Sequence, residues 1–174
     1  MKVKIHSLFE YLLETTQAAP EAVVGLSLAE PPRLGEFLAD LDPDMLLDWN
    51  NRDFSGLPEL KSHVLRQAGL DGICTPADVL ITAGAAEANY LAIMQLLQPE
   101  DEIVIETPGW PQAEVLAKAI GATIVKVTRE EADGWRLPLD RLQTAITART
   151  KMIFLTNPNN PTGDMLDAAE LAQI

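Results

Sequence analysis

One cysteine, Cys74, is all that the 174 residues carry, so no intrachain disulfide can form and a reducing compartment suits the chain. Cys74 reads as an ordinary small residue beside a loop. Aromatic residues make up only 5% against 47% hydrophobic residues overall. Leu, Ala, Ile and Val supply most of that apolar content, a balance that fits an α/β protein better than a β-sandwich or a disulfide scaffold. Basic residues are short: 13 Lys and Arg face 26 Asp and Glu, leaving a net charge of −13, and no basic run exists. An acidic surface repels nucleic-acid backbones and anionic membranes, so neither is expected as a partner. No stretch approaches the roughly 18 consecutive apolar residues of a membrane span. The opening MKVKIHSLFEYLLE is broken by charges and is not a signal peptide. These absences together point to the cytoplasm. The two histidines, His6 and His63, have no metal-ligand pattern around them, and no metal site is expected.

The length suffices for one domain with a real core. Leu8, Phe9, Leu12 and Leu13 recur at helical spacing, so the spacing predicts an amphipathic helix from His6 to about Ala18. Pro20 follows as a stop. An irregular arm comes next, in which Pro31–Pro32 forbids a helix, with a short helical turn or two between Leu34 and Leu41. Leu57 to about Ala68 reads as a helix that Gly69 ends. From Asp78 onward strands and helices alternate. Strands are expected at Val79–Thr82, Glu102–Glu106, Ala122–Thr128 and Lys151–Thr156, and helices at Ala85–Leu97, Gln112–Ile120, Leu139–Ala148 and from Asp167. Such alternation with short loops predicts βαβ units: a three-layer α/β fold with a mainly parallel sheet and helices on both faces.

In an open parallel sheet, ligands bind at the carboxyl edge of the strands. Three loops there carry distinctive chemistry. ITAGAAEANY places Gly84, Ala85 and Ala86 where a strand gives way to a helix. First-turn amides lack internal partners and the helix dipole is positive there, so small side chains let an anion such as phosphate approach. The same residues also suit close packing alone. IETPGWPQA holds Trp110 between Gly109 and Pro111, where an indole can stack on a planar heteroaromatic ring or pack over the sheet. FLTNPNNPTG sets Asn157 and Asn160 each before a proline, which favours extended geometry. A rigid loop of this kind can present an asparagine amide at a fixed place, as donor to a phenolic oxygen or a carboxylate.

With these motifs the chain resembles the class I/II aminotransferases, fold-type I pyridoxal-phosphate enzymes. GLPELKSHV, ITAGAAEA, DEIVIETPGWP and NPNNPTG stand in the family's order and at family-like spacing, over most of the chain. The Glu30–Pro31 pair and the LGEFL after it look like one branch of the family's N-terminal arm. The resemblance implies pyridoxal 5'-phosphate as cofactor, with its phosphate on the amides of Gly84, Ala85 and Ala86. It implies that Trp110 stacks on the pyridine ring and that Asn160 donates to the 3'-oxygen and can touch the substrate carboxylate. Ala29, in the arm, falls at a substrate-side position that is often glycine. Asn51 stands where the family usually has a tyrosine reaching the partner subunit's phosphate, which puts that contact in question.

On the same resemblance, residues 1–50 form an N-terminal helix and arm contributing to a small domain, and residues 51–174 the first part of a cofactor-binding large domain. The implied reaction moves an amino group between an amino acid and a 2-keto acid, in a homodimer. The alternatives are a lyase, decarboxylase or cyclising synthase on the same fold, or a non-catalytic fragment. In the family the Schiff-base lysine, the aspartate at the pyridine nitrogen and the carboxylate-gripping arginine lie later in sequence than Ile174. No lysine here has the family's setting, so no catalytic residue is expected in this chain. Because LDAAELAQI stops inside a helix start, the chain is expected to be the front part of a longer protein. The alternative is a short domain with a frayed terminal helix.

Overall fold

Ile103, Val104 and Ile105 form a buried apolar run, and a sheet is built around them. The computed structural model describes residues 7–17, 30–46 and 53–174. Its elements in chain order are α1 (Ser7–Gln17), α2 (Leu34–Leu38), α3 (Pro58–Gln67), α4 (Ala85–Leu96), β1 (Glu102–Thr107), α5 (Gln112–Ile120), β2 (Thr123–Thr128), α6 (Leu139–Ala145), β3 (Thr150–Phe154) and α7 (Ala168–Leu171). The chain divides into two compact units. Ala83–Ile174 with Met1–Glu14 is one, and Thr15–Thr82 is the other.

The larger unit holds a three-stranded sheet of order β2-β1-β3. Both pairings are parallel, with Ile103 opposite Ile124 on one side and Met152 on the other. A strand of β-branched residues buried on both faces is what the centre of a covered parallel sheet requires. Side chains alternate across it. Ile103 and Ile105 pack with Ile93 and Leu97 of the α4 end and with Ala113, Leu116 and Ala117 of α5. Val104 points the other way and packs with Val127, Leu137, Leu142 of α6 and Leu166. Each of the Val, Leu and Ile side chains among them contributes about 1.5–3 kcal/mol through burial. Helices thus cover both faces, and the expected three-layer α/β architecture is the observed one.

The smaller unit is lighter. α3 starts with Pro58 at its first turn and carries Leu65 inward. Buried Lys61 donates to Ser55 Oγ and pairs with Asp53 at 3.4 Å. α2 is one turn with Leu34, Phe37 and Leu38 all exposed.

Three expectations are corrected. Val79–Thr82 is not a strand. A 3-10 turn at Pro76–Asp78 leads into it, and the Ile81 amide donates to the Ser55 carbonyl at 2.8 Å instead of entering a ladder. A short apolar run becomes a strand only where a neighbouring strand meets it, and the described sheet begins at β1. The helix expected to reach Ala148 stops at Ala145. There the Thr147 amide donates to Thr150 Oγ1 and the Thr147 hydroxyl to Glu102, a local side-chain bonding that competes with the helix. β3 likewise ends at Phe154, two residues early, because the Thr156 amide donates to the Glu106 carboxylate at 2.7 Å. The terminal helix forms as its capping box requires, with Asp167 accepting from the Ala169 and Glu170 amides at 2.8 Å.

Candidate functional site

The first wall of the site is the start of α4. Gly84 caps it at φ 91°, ψ 170°, a conformation that is essentially glycine-only. The first intrahelical bond is Ala88 N to Gly84 O, at 3.4 Å. The amides of Ala85 and Ala86 precede it, and both residues are exposed with nothing beyond a methyl group to shield them. Glu87 folds back to accept the Ala83 amide at 2.5 Å.

The second wall is the turn after β1. The Thr107–Pro108 bond is cis, and Gly109 follows. A Cβ on Gly109 would lie 2.8 Å from the Glu106 carbonyl oxygen, so only glycine fits the closeness of this turn. Half-buried Trp110 comes next, then Pro111, which opens α5. Gln112 ties the two walls together. Its amide nitrogen donates to the Ala86 carbonyl at 2.7 Å, and its amide oxygen accepts from Asn89 at 3.2 Å. Sequence reasoning passed over Gln112 and Asn89, since an amide on a helix surface carries no signal of its own.

The third wall is the NPNNPTG loop. Its Asn157–Pro158 and Asn160–Pro161 bonds are cis. Asn157 accepts the Leu166 amide at 2.9 Å, while Asn160 is exposed. The residue that locks the loop is Asn159, 3% exposed. Its amide donates to the Pro108 carbonyl at 3.2 Å, and its oxygen accepts from the Thr162 hydroxyl at 2.7 Å and the Thr162 amide at 3.2 Å. Three asparagines in seven residues look alike in sequence; burial distinguishes Asn159 from the exposed Asn157 and Asn160.

Beneath the loops lies an ionic cluster that the sequence did not announce. Arg129, 1% exposed, donates to Glu106 Oε2 through Nε at 2.9 Å and through its second terminal nitrogen at 2.7 Å. Its other terminal nitrogen reaches the Trp135 carbonyl at 2.7 Å and Asp164 at 2.6 Å.

The three walls border one open cavity of about 470 Å³, within the range of small-molecule sites. Ala85, Ala86, Trp110 and Asn160 all line it, with Asn89, Gln112 and Thr156 among their neighbours. Gly84 is the cap one residue before this lining. Ala29 and Asn51 lie outside the described residues. Among the described residues no lining side chain is ionisable. The wall can therefore supply amide dipoles, an aromatic surface and neutral hydrogen bonds, but no proton-transfer group.

Comparison with known proteins identifies the family. A model of the family "Aminotransferase class I and II" matches residues 50–174. An aspartate aminotransferase of Geobacillus stearothermophilus is 32% identical over 162 residues, 89% of this chain and 41% of that enzyme. A PLP-dependent aminotransferase structure from Streptococcus suis superposes with a TM-score of 0.84 at 28% identity, covering 99% of this chain and 47% of that one. An alanine aminotransferase from Pyrococcus furiosus gives a TM-score of 0.64 at 37% identity over 70% of this chain and 32% of that one. The chain thus spans about two fifths of the length of the curated relatives it matches most fully. Among the described residues no helix is long and apolar enough to cross a membrane.

Proposed function

The chain belongs to the class I and II aminotransferases, and from that premise we propose that its cavity is the phosphate- and ring-binding part of a pyridoxal-phosphate site. The protein it serves would transfer an amino group between an amino acid and a 2-keto acid. The observation that carries this reading is the convergence of Ala85, Ala86, Trp110 and Asn160, from three separate turns, on one cavity.

The residues present fit the cofactor. Its phosphate needs amide donors without a side-chain shield, and the Gly84-Ala85-Ala86 cap supplies them at the positive end of a 12-residue helix. Its ring needs a flat apolar surface, and Trp110 provides an indole on the adjoining wall. Its phenolic oxygen needs a neutral donor, and the exposed Asn160 amide is one. The same amide can donate to a substrate carboxylate, with Ala29 as a further substrate-side position. When bound, the cofactor supplies an electron sink for the charge left as an amino acid loses its α-proton. The chain's own residues anchor, orient and exclude water. None of the described residues lining the cavity can take up or return a proton.

The reading therefore divides binding from chemistry. The expected result is that the purified 174 residues take up pyridoxal phosphate, followed by equilibrium dialysis and tryptophan fluorescence, yet form no keto acid from amino acids. Keto acid made at a cofactor-dependent rate would overturn the division. Failure to take up the cofactor would overturn the site. The family context adds a homodimer as the assembly, and the single cysteine supports the cytoplasm as the compartment.

A further inference from the structure

Arg129 is a costly way to fill a core. A buried guanidinium with two carboxylates is weak support for stability, since apolar residues of the same volume often serve as well. What it does uniquely is hold separate segments at fixed distances. Its donors reach Glu106 near the end of β1, the Trp135 carbonyl in the β2–α6 connection and Asp164 at the close of the NPNNPTG loop. The second Glu106 oxygen accepts the Thr156 amide, where the chain leaves β3. Trp135 holds a left-handed φ of 63°, unusual for a bulky residue, with its carbonyl turned onto Arg129.

These attachments bear on the cavity from below. Glu106 precedes Trp110 by four residues, and its carbonyl is the atom against which Gly109 is pressed. Thr156 lines the cavity. Asp164 closes the loop that carries Asn160: the Asn159 amide donates to the Asp164 carbonyl at 2.8 Å, and the Gly163 amide to the Asn159 carbonyl at 2.8 Å. Among the described residues the side chains of Arg129, Glu106 and Asp164 make their hydrogen bonds to one another, to Trp135 and to Thr156, while Gln112 ties the α4 start to the Trp110 turn.

We propose that Arg129, with Glu106 and Asp164, is a positioning group that sets the Trp110 turn and the Asn160 loop at the spacing of a planar ring, leaving the phosphate wall to α4. This rests on the cavity being a pyridoxal-phosphate site. The cluster touches neither cofactor nor substrate and acts through the residues that do.

The test uses Asp164→Ala, because Asp164 is the cluster's least buried member, with its side chain 22% exposed. Affinities for pyridoxal phosphate and for inorganic phosphate are measured in parallel, with the induced circular dichroism of the bound ring. Losing a charge-assisted bond is expected to weaken pyridoxal phosphate about tenfold and diminish the induced band, while inorganic phosphate changes less than about twofold. A proportional loss of both ligands, or no loss of either, overturns the proposal. Should Asp164→Ala not fold, Asp164→Glu decides by the same split, since it keeps the charge but pushes the loop outward by a methylene. If the unaltered protein takes up no pyridoxal phosphate, it is the cavity reading that has failed. Amide hydrogen exchange then judges the cluster alone: Asp164→Ala should quicken Gly163 and leave Ala88 unchanged, and uniform quickening sinks it.

Discussion

Trp110 and Asn159 belong to neighbouring loops but carry different kinds of consequence. Trp110 sits half-buried on the cavity wall, so its removal should be felt by a ligand. An offset aromatic stack contributes about 1 kcal/mol, hence Trp110→Ala is expected to weaken pyridoxal phosphate roughly fivefold in equilibrium dialysis. An unchanged dissociation constant would remove the indole from the site. Asn159 faces inward, and its loss would strand the Pro108 carbonyl, the Thr162 amide and the Thr162 hydroxyl. Leaving half-buried groups unpaired costs about 1 kcal/mol or more, so Asn159→Ala should lower the melting temperature measurably. Asn160→Ala, at an exposed position one residue on, should leave the melting temperature alone and weaken only the cofactor. If the two variants melt alike, the division of labour within the loop is wrong.

At the scale of elements, the lower end of the sheet is held by a carboxylate. Glu102 opens β1, is 2% exposed, and accepts from the Thr150 hydroxyl at 2.7 Å and the Thr147 hydroxyl at 2.9 Å. Those two bonds, with the Arg149 guanidinium adding attraction, hold its pKa below the ordinary glutamate value against the opposing effect of burial. A carboxyl whose pKa is lower folded than unfolded binds fewer protons when folded. Its contribution is complete above the unfolded value and is lost as pH falls through the folded one. Acid should therefore loosen the junction of β1 with the turn before β3. Glu102→Gln is expected to make the urea midpoint less dependent on pH below the ordinary glutamate range, while lowering it at neutral pH. Parallel pH profiles for the two proteins would refute the assignment.

For the molecule as a whole, two features oppose each other. β2 and β3 are the outer strands of the described sheet, and β3 carries Met152, Ile153 and Phe154 only half-buried. Unpaired parallel edges with apolar side chains invite association. The net charge of −13 resists it. Salt screens the repulsion, since the Debye length shrinks from about 30 Å at 0.01 M to about 10 Å at 0.1 M, and leaves apolar contact intact. Sedimentation velocity at fixed protein concentration is thus expected to show association rising with ionic strength. Association that falls with salt would mean charge pairing, not the sheet edge, brings copies together.

Local signals were enough for much of this. Strand–helix alternation marked β1, β2 and β3 with β2 a β-branched run and β3 an apolar one, helical spacing marked α3, the Asp167–Glu170 pair marked α7, and NPNNPTG with the GAA and PGWP turns marked the rim where a ligand would sit. Each of those signals is a property of a few adjacent residues. What needed the folded chain were relations between distant ones. Val79–Thr82 has a strand's composition, but pairing comes from a neighbour and not from composition. Asn159 differs from Asn157 and Asn160 only in which way burial turns it. Glu106 and Asp164 stand 23 and 35 residues from Arg129 along the chain, and nothing short of tertiary packing could announce that one guanidinium would hold both acids under the same cavity.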